Sequence, residues 1–359
     1  MKRVPPFLVL SFLTIFLTGC GDLFYFSKMG WHQGSMNFRS VPVKDVLEDG
    51  GTSAQAKEKV LFIQEVKRYG EEKLGLKRTK NYTTFLEVKG PILYVVSASE
   101  RDRLKPYSWS FPVIGRVTYK SFFTREEAVN EKTILDSRGY DTYTQRAGAY
   151  STLGWLKDPI LSSMVEWDHA SLANLILHEM THATVYIKGD TAFNEQVATF
   201  IGNQGSINFL TEKFGAESKE VAYAKRLQED DLLFGRWIDQ ACRRLTDFYE
   251  KDIPKEEKVK GREAIFQSMK EEFKEFKPRL QTETYSHFER VNLNNAVLLA
   301  YHRYIHRLSS FGPVYDYLGR DLGRVVDFFK WIQESEQDPS AYLEQWMQAK
   351  GVIVPASQQ

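Results

Sequence analysis

Cysteine is nearly absent from the sequence, which has only Cys20 and Cys242 in 359 residues. A network of disulfides, the usual support of small secreted domains, is therefore excluded as the basis of the fold. Cys242 lies in the stretch "WIDQACRRL", a context more typical of a buried helix residue than of a nucleophile.

An excess of charge of either sign is also missing, since 48 Lys and Arg stand against 47 Asp and Glu. A surplus of basic residues would indicate a nucleic-acid partner or a polybasic membrane patch, and the sequence has none. We therefore expect no nucleic-acid binding. Internal repeats and low-complexity stretches are absent as well. The 42% of hydrophobic residues is instead typical of a globular chain with a large core.

The sequence has no apolar run near its N-terminus that is long enough to cross a bilayer. Phe7–Leu17 follows Lys2 and Arg3 and spans eleven residues, whereas a membrane helix needs about 20. This pattern predicts a signal peptide over residues 1–19.

The signal segment ends in "LTGC", residues 17–20, which resembles the lipobox of bacterial lipoproteins. That motif predicts a lipid on Cys20 and a lipid-anchored stalk over residues 20–50. The alternative is an ordinary signal peptide with a chance cysteine. Gly21, where an aspartate is associated with inner-membrane retention, favours the periplasmic side of the outer membrane within the cell envelope.

Periodicity predicts an α+β fold with a mixed sheet in its first half. We expect a helix over 54–73, strands over 91–99, 115–123 and 141–150, and a capped helix from Thr124 to Gly139, so that 115–150 form a βαβ unit. From about residue 168 the sequence is mainly helical. The prediction is one catalytic domain over 51–350, followed by a tail over 351–359.

The stretch "LILHEMTHATVY", residues 175–186, holds two histidines four residues apart. On a helix that spacing places His178 and His182 on one face, where both imidazoles can bind one metal ion. Glu179 lies beside the metal without having to bind it, which suits a catalytic base. The alternative is an ordinary helix with two histidines, but the apolar flanks predict a buried helix in which unpaired polar groups would be costly.

A third ligand is needed, and Glu195 in "FNEQVATF" is the candidate. If the first helix runs to about Ile187 and Asp190 or Thr191 is the N-cap of the second, Glu195 returns to the level of His182. Small residues on its face, Ala198, Thr199 and Gly202, let the two helices approach closely. Two imidazoles and one carboxylate favour Zn²⁺, one per chain.

At these residues the sequence resembles the gluzincin metallopeptidases, and more narrowly a bacterial lipoprotein family of predicted aminopeptidases. The resemblance rests on "HEMTHATVY" (178–186) and "GDTAFNE" (189–195), and extends to other stretches over most of the mature chain. It implies a zincin-like fold, zinc ligands His178, His182 and Glu195, and Glu179 as general base. Thr199 stands where related enzymes carry an aspartate, and a Gly-x-Met-Glu-Asn segment for a substrate amine is missing, so "metallopeptidase" is better supported than "aminopeptidase".

Several other residues were candidates for supporting roles. Tyr150, Tyr301 and His302 are candidates to stabilise an oxyanion. His302 and His306 form a second pair at i,i+4, for which a solvated face is favoured over a second metal. Residues 141–155 are either an edge strand that pairs with an extended peptide or an ordinary strand.

The predicted function is a membrane-anchored, zinc-dependent peptidase that hydrolyses peptide bonds with a zinc-bound water. Its expected partners are a peptide or protein substrate and, through the N-terminal lipid, a membrane. The alternative is a non-catalytic envelope lipoprotein scaffold with a structural zinc site. The presence of Glu179 argues against the scaffold, because a structural site has no use for a base there.

Overall fold

A computed structural model describes residue 25 and residues 27–111, 115–147, 157–335 and 337–353. Cys20, Tyr150, the signal segment and most of the predicted C-terminal tail lie outside these residues. In the part that is described, no helix combines the length and the apolar character that a bilayer crossing requires.

The N-terminal segment, which the sequence predicts to be a stalk, contains a helix, α1, over residues 27–39. This helix packs against the rest of the chain, because Met36 is buried and the Gln33 amide donates to the carbonyl of Lys157 at 3.0 Å. The short strand β1 (Val41–Pro42) and helix α2 (Val43–Glu48) follow. Residues 27–48 therefore pack against the folded domain.

Helix α3 (Ala54–Glu72) confirms the helix predicted over 54–73. The Ser53 hydroxyl caps its first turn by accepting a hydrogen bond from the Ala56 amide. Its apolar face, with Val60, Ile63 and Val66 fully buried, packs against the later helix that carries His178 and His182.

Within the described residues the strands form three small sheets, and the prediction of a single mixed sheet is wrong. The strands are β2 (Thr84–Leu86), β3 (Leu93–Ser99), β4 (Trp109–Phe111), β5 (Gly115–Val117), β6 (Lys120–Phe122), β7 (Asp141–Ala147) and β8 (Ile160–Leu161). Their orders are β1-β2-β8, β6-β3-β7 and β4-β5. The predicted strand 115–123 is thus two strands in different sheets.

The predicted βαβ unit is present in a split form. Helix α4 (Arg125–Ser137), capped by Thr124 as expected, connects β6 to β7. Both strands pair antiparallel with β3, which lies between them. Apolar residues of β3 and α4 form a small core of their own, with Val96, Ala98, Ala128 and Leu135 buried.

The second half of the chain is helical, as predicted. Its helices are α5 (His169–His182), α6 (Thr191–Phe214), α7 (Lys219–Tyr249), α8 (Lys255–Phe276), α9 (Asn295–Ile305), α10 (Leu308–Tyr317), α11 (Leu322–Glu334) and α12 (Pro339–Ala349). Aromatic side chains fill much of the main core, among them Phe234, Phe273, Phe288, Phe311 and Phe329.

A buried polar junction fastens the β7 sheet to helices α8 and α9. Arg262 of α8 donates to both oxygens of Asp141 at 2.6 and 2.8 Å, and both side chains are about 5% exposed. The backbone amide of Asn295 donates to the same carboxylate at 3.0 Å. Because the ion pair is buried and bidentate, it fixes the sheet relative to the helices.

Candidate metal centre

Helix α5 carries both predicted histidine ligands and ends earlier than expected. Asp168 caps its N-terminus by accepting a hydrogen bond from the Ser171 amide at 2.8 Å. The helix ends at His182, so the prediction that it continues to Ile187 is wrong. The amides of Thr184 and Val185 both bond the Thr181 carbonyl, and the β-branched residues that follow disfavour further helix.

The connection from α5 to α6 is therefore a turn of eight residues, 183–190, that needs its own support. Asn194 supplies it, because its side chain accepts from the Ile187 amide and donates to the Ile187 carbonyl, both at 2.8 Å. Asp190 caps α6 by accepting from the Phe193 amide at 3.0 Å, as one of the two predicted N-caps. The turn and the start of α6 are thus held together one residue before Glu195.

The structure brings the three predicted ligands together. Glu195 Oε2 lies 3.3 Å from His178 Nε2 and 3.3 Å from His182 Nε2, and the two nitrogens are 3.1 Å apart. The three side chains are mostly buried, with exposures of 14%, 9% and 4% for His178, His182 and Glu195. They form one of the groups in the described residues whose donor atoms could share an ion.

The spacing of the donor atoms fits a tetrahedral metal ion. Ligand bonds of about 2.0–2.2 Å place tetrahedral donors roughly 3.3–3.6 Å apart. The observed separations of 3.1–3.3 Å are close to that edge length. Two nitrogens and one carboxylate oxygen leave a fourth position, as catalytic rather than structural sites do.

The electrostatics of the group also suit a cation. Burial alone would raise the pKa of Glu195, but His182 and His178 lower it well below its ordinary value. Burial alone would lower the pKa of His182, and the opposing effect of Glu195 raises it. Each side chain thus stabilises the charged form of the other. Glu195 is therefore a buried anion that a bound cation would stabilise.

Tyr119 and Arg303 complete the surroundings of Glu195 and were not predicted. The Tyr119 hydroxyl donates to Glu195 Oε1 at 3.1 Å, which leaves Oε2 directed at the histidines. The guanidinium of Arg303 lies 5.0 Å from the centre of the Tyr119 ring and donates to Ser97 Oγ and the Thr118 carbonyl, both at 3.1 Å. Tyr119 lies in the break between β5 and β6. Because the sequence predicts one continuous strand over 115–123, it does not indicate a site residue at this position.

Tyr304 also lies at the centre and was missed. Its ring stacks near His178, with ring centres 6.3 Å apart. Burial raises the pKa of Tyr304 and the negative charge of Glu195 adds to the effect, so the phenol stays protonated and can donate a hydrogen bond. The apolar helix around it gave no sign that this tyrosine, rather than Tyr301, faces the metal ligands.

Glu179, the predicted base, lies on α5 between the two histidines and is half-buried. It is not a member of the group that could share an ion. Its carboxylate is within electrostatic range of His182, Tyr82, Tyr119 and Tyr304. This position matches a base that stands beside a metal without binding it.

Glycine at position 202 allows α5 and α6 to approach closely. A Cβ there would lie 3.0 Å from the Asn174 carbonyl oxygen and 3.3 Å from the His178 Cβ. The Asn174 oxygen belongs to the backbone and cannot move aside as a flexible side chain would, so a larger residue at position 202 would push the two helices apart. The prediction that small residues bring the helices together at the site is confirmed at Gly202.

The other candidate residues lie apart from this centre or outside the described residues. The Tyr301 hydroxyl contacts His287 Nε2 at 3.0 Å within an aromatic cluster. His302 and His306 are not an isolated solvated pair, because both contact Asp239 Oδ1, at 3.2 and 2.8 Å. Tyr150 is not described.

The Asp239, His302 and His306 group is a second set of donors that could share an ion. Arg307, however, donates to His306 Nε2 at 3.1 Å, so that nitrogen carries a lone pair and Nδ1 carries the proton in the neutral ring. Nδ1–H then donates to Asp239 Oδ1. Hydrogen bonding accounts for this group, and we assign no metal to it.

Strand β7 lies at one edge of its sheet, as the peptide-pairing hypothesis requires. The carbonyl of Thr142 accepts a hydrogen bond from the Asn294 side chain at 3.0 Å. Residues 148–155 of the predicted strand lie outside the described residues, and pairing with a peptide stays a prediction.

These elements define a class of site: a helix hairpin that presents two imidazoles and a buried carboxylate to one point, with a second carboxylate beside them. The profile of the Aminopep family, described as "Putative aminopeptidase", matches residues 24–347. The chain belongs to this family. Neither the curated proteins nor the solved structures include one that the chain matches.

Proposed function

We propose that this protein is a zinc-dependent peptidase of gluzincin type with a zincin-like fold. The observation that carries the proposal is the arrangement of three donor atoms 3.1–3.3 Å apart, with Glu179 next in sequence to one ligand and outside the ligand set. The family match supports a peptidase, and two imidazoles with one carboxylate favour zinc among divalent ions.

His178, His182 and Glu195 would hold the ion. Zinc at this point supplies Lewis acidity, which polarises a carbonyl and makes water a better acid. Tyr119 holds Glu195 in the orientation that directs Oε2 at the ligand position, since its hydroxyl occupies the other oxygen. Arg303 in turn holds Tyr119 by its contact with the ring and the backbone of Thr118.

Glu179 acts as the general base in this proposal. Its carboxylate accepts a proton from the attacking water and returns it to the amine that leaves when the peptide bond breaks. Tyr304, protonated over the working pH range, donates a hydrogen bond to the carbonyl oxygen as negative charge develops on it. These two side chains account for proton transfer and charge stabilisation without a further catalytic residue.

We further propose that a lipid on Cys20 anchors the protein in the bacterial cell envelope, at the periplasmic side of the outer membrane. The lipobox-like "LTGC" supports the anchor. With that anchor the catalytic domain would lie at a membrane surface, and we propose peptides or proteins of the envelope as its substrates.

The substitution Glu179→Gln tests the catalytic assignment. It keeps the size and hydrogen bonding of the side chain while removing its basicity, so one zinc per chain should still bind. Hydrolysis of a peptide library, followed by mass spectrometry, should fall by at least about 10²-fold. The cleavage products of the wild type would also show whether the enzyme acts at the N-terminus, as the family description suggests.

Two further variants distinguish the peptidase from the structural-zinc scaffold. His182→Ala should lose zinc, whereas His306→Ala, the matched histidine of the second group, should retain one zinc per chain. Zinc-loaded wild type without activity on the whole library would favour the scaffold. Full activity in the Glu179→Gln variant would disprove the mechanism.

A further inference from the structure

Helix α1 presents two large aromatic side chains to the exterior. Trp31 is 77% exposed and Phe38 is 92% exposed. Among the other large hydrophobic residues in the described part of the chain, only Ile353, at 78%, is comparably exposed. They are seven residues apart, which places them within about 20° of each other around the helix. Val41, 44% exposed, lies two residues after the end of the helix.

The opposite face of α1 is fixed to the domain. Gln33 and Met36 are 3% and 5% exposed. On the flank of the helix, Lys28 pairs with Glu127 of α4 at 2.6 Å. The helix therefore cannot rotate to bury Trp31 and Phe38 without breaking these contacts. Their exposure is a built feature of the folded domain.

The position of α1 in the chain indicates what covers this face. Only seven peptide links separate Cys20 from residue 27, and a fully extended chain spans about 3.5 Å per residue. A lipid on Cys20 would therefore hold the start of α1 within roughly 25 Å of the bilayer. Trp is enriched at the boundary between head groups and acyl chains, where its ring is both apolar and able to hydrogen-bond.

We propose that the Trp31–Phe38 face of α1 lies on the phospholipid bilayer and inserts its aromatic rings at the head-group boundary. The inference rests on the proposed lipid anchor of Cys20. It adds that the domain is oriented rather than loosely tethered, because α1 is packed on the domain through Gln33 and Met36. Membrane contact through α1 thus sets the orientation of the metal centre.

Spin labels on the acylated full-length protein test this orientation. Trp31→Cys and Phe38→Cys provide labelling sites, with Trp331→Cys, 47% exposed on α11, as the matched control. The remaining thiol interferes little, since burial raises the pKa of Cys242 to about 12. In vesicles of phosphatidylethanolamine and phosphatidylglycerol, the ratio of oxygen to nickel-complex accessibility should be several-fold higher at positions 31 and 38 than at 331.

The controls separate failure of the face from failure of the anchor. Mass spectrometry shows whether Cys20 is acylated. If Cys20 is acylated but the accessibility ratios are equal at all three positions, the membrane face is disproved and the lipid anchor is retained. An unmodified Cys20 with no vesicle binding would overturn both. The labels at positions 31 and 38 could also be immobile and inaccessible to both oxygen and the nickel complex. That result would indicate a protein partner or a second copy, and it would disprove contact of this face with the bilayer.

Discussion

Asn194 holds the turn between α5 and α6 in place, because its side chain bonds both polar groups of the Ile187 backbone. Asn194→Ala would leave that amide and carbonyl without these partners, at a cost of about 1–3 kcal/mol. Because Glu195 is the next residue, we also expect zinc affinity to fall by roughly 10–100-fold, as for other supports of metal ligands. Urea unfolding and competition with a zinc chelator measure the two effects.

Asn208 provides the matched control for that substitution. It lies on the same helix, α6, and its side chain donates to the Tyr315 hydroxyl at 3.3 Å, away from the metal ligands. Asn208→Ala should leave zinc affinity unchanged. Equal zinc affinity in the two variants would show that the turn does not depend on Asn194.

The grouping of His178, His182 and Glu195 could be predicted from the sequence because the three residues are close together in it. His178 and His182 share one helix face, and Glu195 follows after one turn, so local geometry alone brings them together. Tyr119, Arg303 and Tyr304 could not be predicted in this way. They come from a strand break and a distant helix, and only the tertiary packing of α9 against the sheet places them beside Glu195.

At the scale of whole elements, patterns with strong local signals were predicted correctly. The capping box at Thr124 marks the start of α4, and hydrophobic periodicity indicates α3. The end of α5 and the break within 115–123 were missed. Both depend on which neighbouring segment takes up the backbone hydrogen bonds, and hydrophobic periodicity carries no information about that competition.

The junction of α8 with β7 gives a prediction at this scale. Arg262→Met leaves the buried carboxylate of Asp141 without its main partner, and we expect a loss of about 3–5 kcal/mol in the free energy of unfolding. The double variant Arg262→Met/Asp141→Asn should recover much of this loss, because no buried charge remains. Denaturant titration of the three proteins measures it.

An exposed pair serves as the comparison. Arg244 and Glu272 lie 2.6 Å apart, but each side chain is 43% exposed. Arg244→Met should cost less than about 1 kcal/mol. A similar cost for both arginine variants would mean that the sheet is held to the helices by apolar packing and not by Asp141.

For the molecule as a whole, the α+β class and the helical second half followed from the sequence, whereas the packed α1 did not. Its polar and aromatic residues lack a clear apolar face, so the segment was interpreted as a stalk. Gln33 shows why the prediction of a stalk was wrong. This side chain is buried through a hydrogen bond to the Lys157 carbonyl, and a buried glutamine does not contribute to a hydrophobic pattern.

The stability of the whole fold should depend on pH through Asp231. Burial raises the pKa of this carboxyl to about 6, with Tyr285 and Asn203 as its hydrogen-bond donors. A raised pKa means that the folded chain favours the neutral acid, so this contribution is complete below about pH 4 and is lost as the pH rises through about 6. Asp231→Asn should therefore gain melting temperature relative to wild type between pH 4 and 7.

Asp136 offers a control, because hydrogen bonds from Lys132 and Thr142 outweigh its burial and lower its pKa. Asp136→Asn should shift the melting temperature by a constant amount over pH 5–8. A constant difference for Asp231→Asn as well would show that its carboxyl does not titrate in this range.

All three donor atoms of the metal centre come from residues 178–195, one short stretch of the chain. Short loops close at little entropic cost, and helix formation is among the fastest events in folding. The hairpin can therefore bring its three donor atoms together before Tyr119 and Arg303 arrive from distant parts of the sequence. Under the proposed zinc binding, an ion present during folding would stabilise this hairpin first, and the metal would then affect the rate of folding as well as the stability of the folded chain.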